Sequence, residues 1–377
     1  MITSPETAAR HLRDFVTKVS SDPDFKRRLS HDPGAALEDL GFMPGQVPSS
    51  LPVQGYAQTA ILNEAALLEF LTATALSSES RLPPFELRLV VHGIRSLALL
   101  HCPEAEAVAL AAWAVEHGKA ALLSPFEYTP ATEKNKGGYS NLAMDRRPAQ
   151  IGSGAWRAVL IAQDWNHAAL ACLALLFNWQ GYLGQLLGYP GCCVQTFLAR
   201  WPEARDRYQG DVARALLAEH GMCPWAGSFH WGVNVFARYL NFALISHFPC
   251  TLDCRATRLL AEEQLAALAT FEPEVSQRLQ TVLSAPLLFT KDAGVFVFPE
   301  AETYVREQGC EVHYDRASHL ATTVETDLAK AIRSGNRLTA DSVALRVGTQ
   351  PFEGNLLLFD HDTITRFTIR SNRSPAK

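Results

Sequence analysis

The sequence predicts a mixed fold, α+β or α/β. It reads as an N-terminal helical module, a mixed α/β core with a large helical block, and a small antiparallel β region at the C-terminal end. Three observations predict this. Apolar residues recur at helical spacing before residue 45, strand-like and helical periods alternate between about residues 85 and 164, and short β-rich runs take over after residue 286. The expected organisation is a docking module over 1–45, a linker over 46–62, a body over 63–285 and a β-rich region over 286–377.

In the first segment Leu12, Phe15, Val16 and Val19 follow helical spacing. "SDPDF" and "SHDPGAAL" each place a Ser or Asp cap before a proline at the first helical position, and Gly41 is a natural stop, which predicts three short helices. "PGQVPSSLPVQGYAQ" has linker composition, and a helix is expected from about Asn63 to Ser77. "FELRLVVHGIRSLALLHC" reads as strand, with a hairpin turn at His92-Gly93. "PEAEAVALAAWAVEHGK" is a helix bounded by Pro103 and Gly118, and "AALLSPFEY" and "WRAVLIAQD" are buried strands. This strand–helix–strand order suggests an α/β layer, with Lys134, Lys136, Tyr139 and Asn141 as the polar groups of the loop above it.

After Asp164 the pattern is helical for a long way. "NHAALACLALLFNWQGYLGQLLG" ends where Gly188-Tyr189-Pro190 breaks it, and a new helix begins near Cys192. "EARDRYQGDVARALLAEHG", "WGVNVFARYLNFALISH" and "AEEQLAALATFEPEVSQRLQTVLSA" continue the block. Beyond Pro286, "LLFTKDAGVFVF", "CEVHYD", "DSVALRVG", "GNLLLFD" and "TITRFTIR" read as strands, the last three as one antiparallel sheet.

Composition narrows the function. The chain has 377 residues, 47% hydrophobic and 19% charged, with a net charge of −5. No basic tract suits a nucleic-acid backbone, and no apolar run is long enough to span a bilayer. The N-terminus lacks the apolar core of a secretory signal, so a cytoplasmic address is expected, where eight cysteines serve packing, metal or catalysis rather than disulfides. Gly-x-Gly-x-x-Gly, P-loop, His-Glu-x-x-His, Gly-x-Ser-x-Gly and Cys-x3-Cys-x2-Cys motifs are all missing from the sequence.

The cysteines are the chemical signal. Cys192 and Cys193 follow Gly-Tyr-Pro-Gly at a helix start, where the helix dipole favours thiolate, and Cys250 and Cys254 follow a second proline in "HFPCTLDC". Both pairs occupy turns at helix ends, which predicts that they converge on one metal site. Neither pair has the Cys-x2-Cys spacing of a zinc knuckle. Neighbouring cysteines are not expected to reach one ion easily, so the spacing leans to an iron–sulfur cluster, with zinc as the alternative. Asn234, Arg238 and Asn241 recur at i, i+4 and i+7 on the expected helix before this turn. Asn234 and Arg238 are candidates to steer a substrate, or else to satisfy backbone groups, and His247 is a candidate fourth ligand or acid/base. Tyr189 and Asp253 share the turns, and Cys102, Cys172, Cys223 and Cys310 read as packing residues.

Two resemblances extend this reading. "FVTKVSSDPDFKRRLSHDPGAALEDLGF" resembles the leader-type helical segments of nitrile-hydratase-like and nitrogen-fixation-like precursor peptides, which implies a peptide or protein partner through residues 5–45. "LLGYPGCCVQTF" with "HFPCTLDC" and the preceding Asn-x3-Arg is similar to an uncharacterised domain-of-unknown-function family, over roughly residues 85–300. That resemblance implies that Cys192, Cys193, Cys250 and Cys254 belong to one site and brings no reaction with it. The expected function is a metalloenzyme acting on a small molecule or peptide, with tailoring of a ribosomal peptide as the more specific expectation. The alternatives are a binding protein with a structural zinc site and a thiol-redox protein using the Cys192-Cys193 pair.

Overall fold

The computed structural model describes residues 2–49, 51, 85–129, 145–150, 152–208, 212–219, 224–237, 242, 244–290, 293–306, 309–315, 318–320 and 326–360. The expected linker beyond Leu51, the expected helix at 63–77, the loop with Lys134 to Asn141 and the strand "TITRFTIR" lie outside these residues. Packing divides the chain into two compact units, with the division falling inside the helix Gly191–Tyr208, after Arg200.

The first unit opens with the three expected helices, Pro5–Ser21, Pro23–His31 and Pro33–Glu38. Their starts follow from the caps: the Asp22 carboxylate accepts from the Asp24 and Phe25 N–H groups, and Asp32 accepts from Ala35. Proline at the first helical position has no N–H to leave unsatisfied. These helices are not a separate module. Phe15 is fully buried and packs edge-on against Phe25 and Phe42, and equally against Phe177 and Trp179 at the end of the helix Trp165–Leu176. Asn166 clamps the following segment by accepting from the Met43 N–H and donating to the Met43 carbonyl, both at 2.8 Å, while the Tyr182 hydroxyl donates to Pro44. The boundary expected near residue 45 therefore runs through one shared core.

The segment read as a hairpin is instead a short helix, Phe85–Val91, followed by strand β1, Leu97–Pro103. The Gly93 N–H bonds to the Val90 carbonyl and that of Ile94 to Leu89, with Gly93 at φ +74°, so the glycine ends a helix rather than turning a hairpin. The helix Glu104–Glu116 then leads to β2, Ala120–Thr129, and on to β3, Asp145–Pro148, and β4, Trp156–Ala162. The sheet order is β1-β4-β2-β3 with every pairing antiparallel, so the layer is α+β rather than doubly wound. β4 lies between β1 and β2 and pairs antiparallel with both, so the strand–helix–strand order read as an α/β layer belongs to an antiparallel sheet. Arg157 on β4 is buried and bonds to Glu104 at 3.3 Å, while the backbone N–H groups of Gly152 and Gly154 also donate to Glu104. The long apolar helix expected after Asp164 is two helices, Trp165–Leu176 and Gln180–Leu186, with Asn178 at positive φ between them.

The second unit holds the helix Val212–Glu219, strand β5 at Trp225–His230, a single 3₁₀ turn at Trp231–Val233, and a helical hairpin of Arg255–Phe271 and Pro273–Leu283. β5 lies inside the expected helical block. It pairs parallel to β14, Asn355–Asp360, at the edge of a sheet ordered β10-β7-β6-β14-β5, in which β6 is Leu287–Phe289, β7 is Val295–Val297 and β10 is Ser318–Leu320. A second sheet is ordered β13-β12-β11-β9-β8, from β8 at Glu302–Arg306, β9 at Gly309–His313, β11 at Arg337–Asp341, β12 at Leu345–Val347 and β13 at Gln350–Phe352. The C-terminal strands thus split between two sheets instead of forming one. Leu328, Ala329 and Ile332 of the helix Asp327–Ser334 share a core with residues of both sheets. Among the described residues no helix is long and apolar enough to cross a membrane.

The shared core sets an expectation for Phe15→Ala. It should cost about 3–5 kcal/mol, the range for emptying a buried aromatic site. Urea denaturation should show that loss in the transition reporting Trp179, whereas an independent N-terminal module would leave that transition in place.

Candidate metal centre

The first cysteine pair is set by a helix-to-helix turn. The helix Gln180–Leu186 stops where the Gly188 N–H bonds to Gln185 and the Tyr189 N–H to Gly184, with Gly188 at φ +74°. Pro190 cannot extend that helix, and its carbonyl accepts from both the Cys193 and Val194 N–H groups at 2.9 and 3.0 Å, opening the helix Gly191–Tyr208. Gly184 permits the close approach of the two helices, because a Cβ there would sit 2.9 Å from Val194 Cγ2. Arg95 holds the turn by donating to the Leu187 carbonyl at 3.2 Å and lying over the Tyr189 ring. Cys192 and Cys193 are therefore in the first helical turn, where Cα–Cβ bonds tilt toward the N-terminus. Their sulfurs are 3.8 Å apart.

The second pair precedes a helix rather than lying in its first turn. A turn closed by the Cys254 N–H on the Thr251 carbonyl, anchored by fully buried Leu252, leads to the helix Arg255–Phe271. Cys254 is the N-cap of this helix: its carbonyl takes the first helical bond, from Arg258, and its sulfur accepts from the Thr257 N–H at 3.5 Å. A thiolate accepts such a bond better than a thiol, and the positive end of the helix favours it further.

The sulfurs of Cys192, Cys193, Cys250 and Cys254 all lie within 4.8 Å of one another, a spacing at which they could hold a metal ion. The convergence expected from the two proline turns is present. Neighbouring cysteines are not expected to reach one ion easily, yet the sulfurs of Cys192 and Cys193 both belong to this cluster, because both residues lie in the first turn of one helix. Three other cysteines differ in kind. Cys102, Cys172 and Cys310 are buried, and burial pushes each thiol up to about 12, so they remain protonated packing residues. Cys223 lies outside the described residues.

The flanking candidates fall differently. His247 is buried and is not one of the clustered ligands; its Nε2 is 2.9 Å from Thr257 Oγ1, so it braces the residue whose N–H meets Cys254. Asn234 is not on an α-helix: it follows the 3₁₀ turn, donates to the Leu283 carbonyl at 2.8 Å and accepts from the Ala237 N–H at 3.2 Å. Both ends of its amide thus serve the backbone, the other use expected for it. Arg238 and Asn241 lie outside the described residues. Thr257 and Arg95 were not singled out from the sequence. A threonine three positions after a capping cysteine is a local signal that could have found the first, whereas Arg95 is remote from the turn it holds.

Outer partners of metal ligands are commonly worth about 10–100-fold in metal affinity. His247→Leu and Thr257→Val should each weaken metal binding by that factor in competition with a chromophoric chelator, and Thr257→Ser, which keeps the hydroxyl, should recover most of it. A scan against family models, a search of curated proteins and a search of solved structures each return no match, so the site is read from its own geometry.

Proposed function

We propose that this chain is a metalloprotein whose four cysteine thiolates hold a single soft divalent ion, zinc first, and that the ion ties the turn after Pro190 to the turn after Pro249. The observation that carries this reading is the 4.8 Å limit on every sulfur–sulfur separation. Four sulfurs about 2.3 Å from one ion stand about 3.8 Å apart, and the Cys192–Cys193 separation has that value. In an iron–sulfur cluster, thiolates on different irons stand farther apart, because the iron–iron distance adds to the two metal–sulfur bonds. The spacing therefore favours one ion over the cluster to which the cysteine pattern leans. A single iron would satisfy the same geometry. A reducing compartment such as the cytoplasm would keep the four thiols available.

Four protein ligands complete a tetrahedron, the arrangement of structural zinc. One observation favours a catalytic role as well: Cys192 is exposed. Action on a small molecule or peptide would take place at that corner. The outward faces of the three N-terminal helices, with Arg10, Asp14, Lys26 and Arg27 all solvent-facing, remain the surface where a peptide or protein partner would bind.

Elemental analysis of freshly isolated protein tests the reading. About one zinc per chain is expected, and cobalt put in its place should give the intense visible absorption of a tetrahedral thiolate site. Cys250→Ser and Cys254→Ser should each weaken zinc by more than about 100-fold, beyond the loss from an outer partner. Inorganic sulfide with several irons per chain would replace the single ion by a cluster, and full metal content in both variants would remove the four-cysteine centre.

A further inference from the structure

The four ligands are not equivalent. Cys193 and Cys254 are 1% and 5% exposed, Cys250 is intermediate, and Cys192 is exposed. Their positions account for part of this. Cys254 is the cap of a helix whose first turn includes fully buried Thr257, and its sulfur receives a backbone N–H. Cys193 is one position further along its own helix than Cys192 and turns inward, which leaves Cys192 at the open end of the first turn. A thiolate on a divalent ion remains deprotonated at neutral pH and keeps lone pairs available for reaction. Burial screens Cys193 and Cys254, so reactivity concentrates at the exposed corner.

We propose that Cys192 is the exchangeable, nucleophilic ligand of the centre and that it accepts the carbon of small soft electrophiles such as alkyl halides. The proposal rests on the single-ion reading above. In the step, a lone pair on Cys192 Sγ forms a sulfur–carbon bond as the carbon–halide bond breaks, and the halide leaves with the bonding pair. The product is a neutral thioether, a weaker ligand than a thiolate, and water takes its place on the ion. No oxidant or reductant enters. Cys193, Cys250 and Cys254 keep the metal in place.

The test uses the full-length zinc-loaded chain and a limiting amount of iodoacetamide. Modified positions are read by fragmenting the peptide that carries both Cys192 and Cys193, and the peptides carrying Cys250 and Cys254. Cys192 should react about tenfold or more faster than each of the other three, and removing zinc with a chelator should narrow that margin, because Cys193, Cys250 and Cys254 lose the protection of the ion. Cys192→Ser should leave the other three protected while zinc stays bound. Comparable rates at Cys250 or Cys193 in the zinc-loaded chain, or a margin that removing zinc leaves unchanged, would overturn the proposal. Zinc content measured before labelling separates the two ideas: a chain that binds no zinc loses the metal centre itself, while a zinc-loaded chain labelled evenly loses only the special role of Cys192.

Discussion

Four sulfur atoms within 4.8 Å of one another, two of them buried, form the constraint on which the proposed chemistry depends. As thiolates they would repel: two unit charges at that distance cost roughly 3 kcal/mol per pair at an effective dielectric of about 20. A divalent ion at the centre would turn that repulsion into attraction, and the positive ends of two helices would stabilise the negative charge that remains. One helix begins at Gly191, beside Cys192 and Cys193, and the other at Arg255, beside Cys254. The same four groups as thiols would be poor partners for one another, since sulfur is a weak donor and a weak acceptor. The arrangement is therefore one that could hold a metal ion.

Helix ends are the device that makes the site possible. A helix stopped by Gly188 and followed by proline cannot continue, so the chain restarts with its next N-terminus pointing at what lies before it. Cysteines in that first turn are delivered to one place by backbone geometry rather than by long flexible side chains. In the second pair Cys254 is itself an N-cap, with its sulfur doing the work usually given to a serine or aspartate oxygen. His247 belongs to this logic. Its bond to Thr257 fixes the residue that meets the sulfur, a role invisible while the histidine is considered as a ligand.

Away from the site, the same sequence signals were read with uneven success, and the reasons are physical. Caps and stops are local, so the three N-terminal helices, the helix Glu104–Glu116 and the break at Gly188 were all legible. Whether Phe85–Val91 coils or extends depends on what its apolar residues meet, and an alternating run of Leu and Val does not say. The segment Trp225–His230 extends because β14 offers an edge to pair with, a partner about 130 positions away in the chain. The face of three residues inferred for Asn234 required a helix that the chain does not form around it, since a 3₁₀ turn ends there and the amide is occupied by backbone.

The sequence by itself determined the capped starts of the three N-terminal helices, the break at Gly188, that both cysteine pairs follow a proline turn, and that Cys102, Cys172 and Cys310 are apolar fillers. These follow from proline, glycine and capping side chains, whose effects reach only a few residues. The tertiary structure alone decided that the N-terminal helices share a core with Trp179, that the first sheet is antiparallel, and how closely the four sulfurs approach. Those are long-range distances, set by packing between segments remote in the chain, and no local pattern encodes them.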